Sequence, residues 1–234
     1  MSLAKENAAK AALTYVKSNM KIGLGTGSTA AIFVDLLGEK VAQGLNIIAV
    51  PTSKATQKQA EALNIPLTTL EAVGGRLDLT IDGTDEVSPD GHLIKGGGGA
   101  LLREKIVAAA SDKMIVIADV HKKVAHLGQF PLPIEIIPFG AASTLSHVEN
   151  CLKTHFDHGV DIKLRQAAKG GELFITDEGN YILDASCLMI ANPQKLHDAL
   201  NCLTGVVENG LFMNMASHIL IGHDDKVETL SPFS

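Results

Sequence analysis

Apolar residues follow two different spacings along the first 120 residues of the chain. Short continuous apolar runs, such as 114-MIVIA-118, are typical of strands buried on both faces of a parallel sheet. Between them, apolar residues recur every three or four positions, which indicates helices. The pattern predicts helices at residues 3–17, 28–37, 54–63 and 98–110, and strands at residues 21–25, 45–50, 65–70, 77–81 and 114–118. Because strands alternate with helices, we expect a Rossmann-like, mostly parallel α/β sheet with helices on both faces.

The spacing changes after the proline-marked stretch 130-FPLPIEIIP-138. Strands are predicted at 134–137 and 161–165 around a helix at 141–154, followed by a hairpin of 173–176 with 181–185 and a helix from Pro193 that Asn192 caps. This β-α-β-β-α order predicts a small ferredoxin-like α+β domain. We therefore expect a Rossmann-like catalytic domain at 1–130, rejoined by about 206–234, and a small domain at 131–205. The last 20 residues predict a further hairpin.

Composition narrows the class of protein. The chain has 234 residues, 46% of them hydrophobic and 20% charged, with a formal net charge of −6. That balance is typical of a globular protein, and the acidity with no dense Lys/Arg cluster argues against nucleic-acid binding. No apolar run has membrane-spanning length. Cys151, Cys187 and Cys202 are odd in number and widely spaced, so we expect free, mostly buried thiols in a cytoplasmic protein.

The glycine-rich turn 23-GLGTGSTA-30 links a predicted strand to a helix. It fits a loose dinucleotide fingerprint, but the next strand ends in 50-VPTSKAT-56 and offers no carboxylate for a ribose, and no Gly-Lys pair exists for a P-loop. A helix start with free amides and the hydroxyls of Thr26, Ser28 and Thr29 suits one phosphate group. The alternative is a tight turn without a ligand, in which Ser28 or Thr29 only caps the helix.

Two further segments, 82-DGTDEV-87 and 94-IKGGGGALLREK-105, bring together the groups needed for acid–base chemistry. Asp82 ends a predicted strand, where ligands bind in parallel sheets, and Asp85 follows in the loop. Lys95 precedes four glycines, and Glu104 is predicted about two turns into the helix that they open. Glu104 then supplies a carboxylate base, and Lys95 and the helix start supply positive charge for an enediolate. Solvated surface ion pairs are the alternative, but four consecutive glycines would only weaken a plain helix start.

Metal and thiol chemistry find less support. His155 and His158 lie three apart without a third ligand nearby in the sequence, which is more typical of a helix end than of a zinc site. Cys187 and Cys202 have no histidine arranged to activate them, so we interpret them as packing residues.

The same motifs, together with 117-IADVHKKVAHLG-128, PLPIEIIP, TDEGNYILD and GVVENGLF, strongly resemble type A ribose-5-phosphate isomerase over nearly the whole chain. The resemblance implies interconversion of ribose 5-phosphate and ribulose 5-phosphate in the pentose phosphate pathway, without metal or cofactor, in a dimer or tetramer; we expect a homodimer. It implies catalytic roles for Glu104 as base, for Asp82 and Asp85 in ring opening and hydroxyl binding, and for Lys95 at the oxyanion. The implied substrate-binding residues are Thr26, Gly27, Ser28, Thr29, Gly83, Thr84, Gly96, Gly97, Gly98 and Lys122.

Two positions depart from the family pattern: Thr84 stands where alanine is common, and Leu102 where threonine is common. Neither removes a group of the acid–base set. A sugar-phosphate-binding regulatory or sensor domain is the main alternative function, and it would need the phosphate turn but not Asp82, Asp85, Lys95 and Glu104. An acyl-CoA transferase, which also uses a glutamate near glycine-rich loops, is a second alternative that an acyl-transfer assay would test.

Overall fold

The computed structural model describes residues 2–167 and 171–232. The chain packs into two compact units. The first comprises the described residues within 1–84, 103–123 and 214–234, and the second comprises those within 85–102 and 124–213.

The first unit contains a six-stranded sheet in the order β13-β12-β6-β3-β1-β2. All of its neighbouring strands run parallel except the β12–β13 pair at one edge, which is the hairpin predicted for the C-terminal residues. The strands are β1 (Lys21–Leu24), β2 (Ile48–Pro51), β3 (Leu79–Gly83), β6 (Met114–Asp119), β12 (His218–Gly222) and β13 (Val227–Leu230). The helices are α1 (Leu3–Leu13), α2 (Ser28–Ala42), α3 (Lys54–Ala62), α4 (Leu101–Ala109, of which 101–102 belong to the second unit) and the short 3-10 helix Val120–Lys122.

Helices cover both faces of this sheet. Ile22 and Leu24 of β1 share one buried cluster with small and apolar residues of α1 and α2, among them Ala8 and Phe33. Gly23 points to the opposite face, where a Cβ would lie 2.5 Å from Cγ1 of Val107 in α4. The predicted Rossmann-like sheet with helices on both faces is therefore confirmed.

The second unit contains two antiparallel sheets. Four strands form the order β10-β7-β9-β8, and together with their helices they follow β-α-β-β-α-β along the chain, which confirms the predicted ferredoxin-like layer. These elements are β7 (Leu132–Ile136), α5 (Ala141–His155), β8 (Asp161–Leu164), β9 (Tyr181–Ser186), α6 (Pro193–Asn201) and β10 (Val206–Asn209). The predicted cap of α6 is confirmed, because the side chain of Asn192 accepts a hydrogen bond from the N–H of Lys195. A small sheet, β11-β5-β4, was not predicted; its strands β4 (Glu86–Val87), β5 (Leu93–Ile94) and β11 (Leu211–Phe212) have two residues each.

Two predicted strands are wrong. Residues 65–70 make only one isolated bridge, between Leu67 and Ala49, because Pro66 has no N–H to extend the pairing. Residues 173–176 also make a single bridge, between Leu173 and Gln166, and β8 replaces them as the antiparallel neighbour of β9.

Helix boundaries also differ from the prediction: α2 extends to Ala42 rather than to residue 37, and α4 begins at Leu101 rather than at residue 98. The first helix ends at Leu13 rather than at residue 17, because Tyr15 and Val16 donate to carbonyls three residues back and tighten the last turn. Helix α2 begins at Ser28, but its N-cap is Gly27 and no side chain caps it, contrary to the predicted Ser28 or Thr29 cap. The domain boundaries at residues 130 and about 206 stay a prediction.

Among the described helices, none combines the length and apolar character needed to cross a bilayer.

The contact of α1 with β12 gives a test of packing in the first unit. A Cβ on Gly222 would lie 1.9 Å from the carbonyl oxygen of Ala4, so Gly222→Ala forces backbone to move. We expect the free energy of unfolding to fall by about 1–3 kcal/mol, measured by urea denaturation. Gly159→Ala is the matched control, because a Cβ there meets nothing within 4 Å. Equal midpoints for the two variants would contradict the close approach.

Candidate active site

The predicted site residues of the first unit follow neighbouring parallel strands. Residues 25–29 follow β1, Asp82 and Gly83 end β3 and Thr84 comes directly after it, while Asp119, which was not predicted, ends β6. Because these strands are parallel neighbours in the sheet, their carboxyl ends lie at one edge. Ligands bind at this edge in open α/β sheets.

The Asp82 side chain joins the loop after β1 to the end of β3. Its Oδ1 accepts hydrogen bonds from the N–H groups of Thr26 at 3.0 Å and Gly83 at 2.7 Å, and the residue is fully buried. Gly25 lies so close that a Cβ there would be 2.1 Å from Oδ1 of Asp82. The glycine at position 25 is therefore required by the approach of a carboxylate, whereas Gly27 is required by its own φ of 116°.

Thr26 directs its hydroxyl into a buried network. Its Oγ1 lies 2.8 Å from Oγ1 of Thr52, donates to Oγ of Ser53 at 2.8 Å and lies 3.1 Å from Oγ1 of Thr56. Thr56 in turn donates to the carbonyl of Gly25 at 3.0 Å. The hydroxyls of 50-VPTSKAT-56 thus fix the conformation of the glycine turn through hydrogen bonds. The sequence alone did not assign these hydroxyls a role.

The start of α2 is the part of the turn that remains suited to an anion. Ser28 is exposed, and its Oγ accepts a hydrogen bond from Nζ of Lys5 at 2.9 Å. The same Nζ lies 4.0 Å from Oδ2 of Asp119. The N–H groups of the first helical turn have no partner within the helix and carry partial positive charge. Lys5 was missed by the sequence analysis, because it lies 23 residues before Ser28 on α1.

Glu104 is a buried carboxylate at the beginning of α4. It is 4% exposed and lies in the first turn of the helix. The prediction of two turns was wrong, because the four glycines precede the helix as a turn and the helix begins only at Leu101. A buried carboxyl so near a helix start is unusual on a plain surface helix, where Asp and Glu are almost always exposed.

In the second unit, Asp85 and the glycine loop hold each other. Oδ2 of Asp85 accepts the N–H of Gly97 at 2.7 Å, and the N–H of Asp85 donates to the carbonyl of Ile94 at 2.9 Å. A Cβ on Gly97 would lie 2.7 Å from Oδ1 of Asp85. The absence of a side chain at Gly97 therefore allows the carboxylate to reach the backbone.

Lys95 is almost fully buried, at 2% exposure. Its N–H donates to the carbonyl of Gly210 at 2.9 Å, and its Nζ lies 5.4 Å from the ring centroid of Phe212. Gly210 permits this approach, since a Cβ there would be 2.4 Å from the carbonyl oxygen of Lys95. Backbone pairing and the aromatic ring thus fix a cation immediately before the glycine loop.

Glu86, which follows Asp85, has a structural role. Its two carboxylate oxygens accept the N–H groups of Gly128 at 2.7 Å and Phe130 at 2.5 Å. Burial raises the pKa of Glu86, and the hydrogen bonds from the backbone oppose that rise. The acidic residue of the motif that is not a site candidate therefore anchors the loop at 128–130.

The remaining predicted positions lie beside these groups. Thr84 follows β3 and is half-buried, Gly98 is exposed in the glycine loop, and Lys122 ends the 3-10 helix after β6. Asp119 caps that short helix by accepting the N–H of His121 at 3.0 Å, and it was not predicted.

The thiols divide by burial. Cys187 is buried, and desolvation raises its pKa to about 12, so it is protonated and unreactive at neutral pH. Cys202 is exposed, which corrects the expectation that the cysteines are mostly buried, while all three are free thiols. Within residues 2–167 and 171–232, no three His, Cys, Asp or Glu side chains gather into a metal-binding group.

Comparison with known proteins identifies the family. The model of the family "Ribose 5-phosphate isomerase A (phosphoriboisomerase A)" matches residues 48–226. Ribose-5-phosphate isomerase A of Rhodopseudomonas palustris (strain HaA2) is 52% identical over 226 residues, which cover 97% of this chain and 96% of the relative.

Solved structures agree with the sequence comparison. Ribose 5-phosphate isomerase from Plasmodium falciparum has a TM-score of 0.90 and 42% identity, covering 98% of this chain and 97% of that one. A D-ribose-5-phosphate isomerase in complex with phospho-erythronic acid has a TM-score of 0.90 and 38% identity, covering 97% of each chain. The chain belongs to the ribose 5-phosphate isomerase A family, which confirms the resemblance found in the sequence and does not favour the sensor alternative.

The two hydrogen bonds to Asp82 give a stability test. Asp82→Ala leaves the N–H groups of Thr26 and Gly83 without their acceptor, and we expect the free energy of unfolding to fall by about 2–4 kcal/mol. Asp82→Asn keeps an oxygen at that position and should lose less. Chemical denaturation of both variants measures the difference. If the two variants lose the same free energy of unfolding, the hydrogen bonds from Thr26 and Gly83 are not the contribution of Asp82 to stability.

Proposed function

We propose that this protein is an aldose–ketose isomerase that interconverts D-ribose 5-phosphate and D-ribulose 5-phosphate in the non-oxidative pentose phosphate pathway. The observation that carries the proposal is the 52% identity to a ribose-5-phosphate isomerase A over 97% of the chain. Every residue of the predicted acid–base set lies within residues 48–226, which the family model matches. The reaction moves one hydrogen from C2 to C1 of the sugar. At the same time O2 loses its hydroxyl proton and becomes the ketone oxygen, and O1 gains a proton and becomes a hydroxyl.

Glu104 is proposed as the base. It removes the proton from C2, which leaves an enediolate, and returns a proton to C1. Its burial supports this role, because a glutamate is rarely withdrawn from water on a plain surface helix.

Lys95 and the glycine loop are proposed to stabilise the enediolate. The ammonium of Lys95 is fixed by backbone pairing and by Phe212 before the substrate arrives, so little reorganisation is needed as negative charge develops. The N–H groups of Gly96, Gly97 and Gly98 belong to a loop without side chains that would keep a ligand away.

The two aspartates are proposed to act on the sugar hydroxyls and in ring opening. They differ in their surroundings: Asp82 already accepts two backbone N–H groups through Oδ1, whereas Asp85 is half-buried and accepts one through Oδ2. We therefore propose that Asp85 makes the more direct contact with the sugar. Gly83, Thr84 and Lys122 are proposed as further substrate contacts.

The start of α2 is proposed to bind the substrate phosphate. Gly27, Ser28 and Thr29 supply backbone N–H groups and hydroxyls, and Lys5 adds a positive charge at Ser28. Thr26 contributes through the buried hydroxyl network that fixes the turn. The complex of a related isomerase with phospho-erythronic acid supports a phosphorylated ligand.

We also propose a homodimer in the cytoplasm. The three free cysteines support a reducing compartment. Phe139 is 90% exposed and Ile137 40% exposed on one loop of the second unit, and exposed apolar side chains that cluster are typical of contact surfaces. Sedimentation should give twice the mass of 24.6 kDa, and the mass of a single chain would contradict the dimer.

Replacing Glu104 by Gln tests the base. The amide keeps the shape of the side chain but cannot accept the C2 proton, so we expect kcat to fall by about 10²–10⁴-fold, the contribution typical of a general base. Steady-state assays with ribose 5-phosphate measure the change, and Glu39→Gln, an exposed glutamate on α2, is the control. Near-normal turnover of Glu104→Gln, with turnover abolished in Asp82→Asn or Asp85→Asn, would make an aspartate the base.

Lys5 and the phosphate give a second test. Lys5→Ala should lower kcat/KM for ribose 5-phosphate by about 10–100-fold through KM, because one charged hydrogen bond is lost. Lys10→Ala is the matched control on the same helix, since Lys10 is exposed and pairs with Glu6 at 2.6 Å. Free ribose should be a far poorer substrate than ribose 5-phosphate for the unchanged protein. Comparable kcat/KM values for the two sugars would contradict a phosphate site.

A further inference from the structure

Arg165 bonds to the glycine loop from a distant part of the sequence. Its Nη1 donates to the carbonyl oxygens of Gly96 at 2.8 Å and Gly97 at 3.2 Å. The residue follows β8, and 68 positions separate it from Gly97. No motif in the sequence connects the two segments.

The contact fixes the orientation of one peptide group. The carbonyl of Gly96 and the N–H of Gly97 belong to the same peptide plane, and Arg165 binds the oxygen while Asp85 binds the N–H at 2.7 Å. Glycine on both sides allows this plane to rotate at little cost, and Gly96 has a φ of 104°. The two charged side chains therefore supply the constraint that the glycines lack.

Arg165 is itself held rigidly. Asp184 of β9 accepts from Nε at 2.8 Å and from Nη2 at 2.5 Å, which is the two-pronged geometry that suits guanidinium and carboxylate. The guanidinium also lies 5.7 Å from the ring centroid of Phe174.

The ring of Phe174 also packs directly against the glycine loop, at Gly99. A Cβ on Gly99 would lie 2.3 Å from Cζ of Phe174, and the N–H of Phe174 donates to the carbonyl of Arg165 at 2.9 Å. Arg165, Phe174 and the loop of Gly96–Gly99 thus form one packed group in the second unit.

We propose that Arg165, oriented by Asp184, is a positioning residue for the isomerase reaction. It holds the Gly96–Gly97 peptide so that the N–H of Gly97 keeps its hydrogen bond to Asp85. The loop then keeps the conformation that stabilises the enediolate. The inference rests on the proposed function for its kinetic effect, whereas the orientation of the peptide is a property of the loop alone. Arg165 does not contact the sugar in this scheme, so its loss affects kcat more than KM.

Arg165→Ala is the test variant. We expect kcat with ribose 5-phosphate to fall by about 10–100-fold, as for the loss of a charge-assisted hydrogen bond, with KM changed by less than about threefold. Added guanidinium ion should restore part of the lost activity. Arg76→Ala is the matched control, because Arg76 also pairs with an aspartate, Asp112 at 2.9 Å, but on the exposed surface of the first unit; its kcat should not change.

A second measurement separates this inference from the proposed function. In protein labelled with ¹⁵N-glycine, the amide signal of Gly97 should shift in Arg165→Ala and stay in place in Arg76→Ala. If the unchanged protein fails to isomerise ribose 5-phosphate, the proposed function is wrong, and the Gly97 signal still tests the positioning. Asp184→Asn should lower kcat and shift the Gly97 amide signal in the same direction as Arg165→Ala, but by a smaller amount.

Three results would overturn the positioning role. They are a kcat of Arg165→Ala equal to that of the control, an increase in KM with kcat retained, and an unchanged Gly97 signal. If Arg165→Ala does not fold, Arg165→Lys replaces it, because lysine keeps a cation but cannot bind Gly96 and both oxygens of Asp184 together. A kcat of Arg165→Lys equal to that of the unchanged protein would likewise overturn the inference.

Discussion

The buried carboxylate of Asp82 is the constraint on which the edge of the parallel sheet depends. Through Oδ1 it accepts the N–H groups of Thr26 and Gly83, and so joins the loop that follows β1 to the end of β3. The approach is close enough to exclude any side chain at position 25. The hydroxyls of Thr52, Ser53 and Thr56 contact the Thr26 hydroxyl and fix the same turn. Helix α2 then begins at Ser28, with its first N–H groups at this edge of the sheet.

The second unit uses the same physical device. A glycine-rich backbone gains no orientation from side-chain packing, so charged side chains must fix it through hydrogen bonds. Asp85 and Arg165 hold opposite sides of the Gly96–Gly97 peptide, and Glu86 holds the loop at 128–130. In both units the acidic residues of 82-DGTDEV-87 therefore bind backbone N–H groups, whatever they do to a substrate.

Local patterns in the sequence predicted what local physics determines. The period of the apolar residues predicted the alternating strands and helices of the parallel sheet, and Asn192 before Pro193 predicted a helix start that the structure confirms. The start of α4 was misplaced because glycines leave the onset of a helix to the residues that follow them. The hydrogen bonds of the Thr26 hydroxyl to Thr52 and Ser53 were not foreseen, since these partners belong to the turn after the next strand. Lys5 and Arg165 could not be found, since their partners lie 23 and about 70 residues away and only the folded chain brings them together.

Isotope exchange with solvent tests the proton transfer most directly. Ribose 5-phosphate is incubated with the protein in D₂O, and the products are followed by proton NMR and mass spectrometry, with a protein-free sample as the control. Transfer through an enediolate and a carboxylate base predicts ribulose 5-phosphate that carries deuterium at C1, and deuterium at C2 of the ribose 5-phosphate that re-forms. Ketose that forms at the catalysed rate without any deuterium would contradict proton transfer through a base that exchanges its proton with solvent, and no ketose at all would contradict the isomerase function.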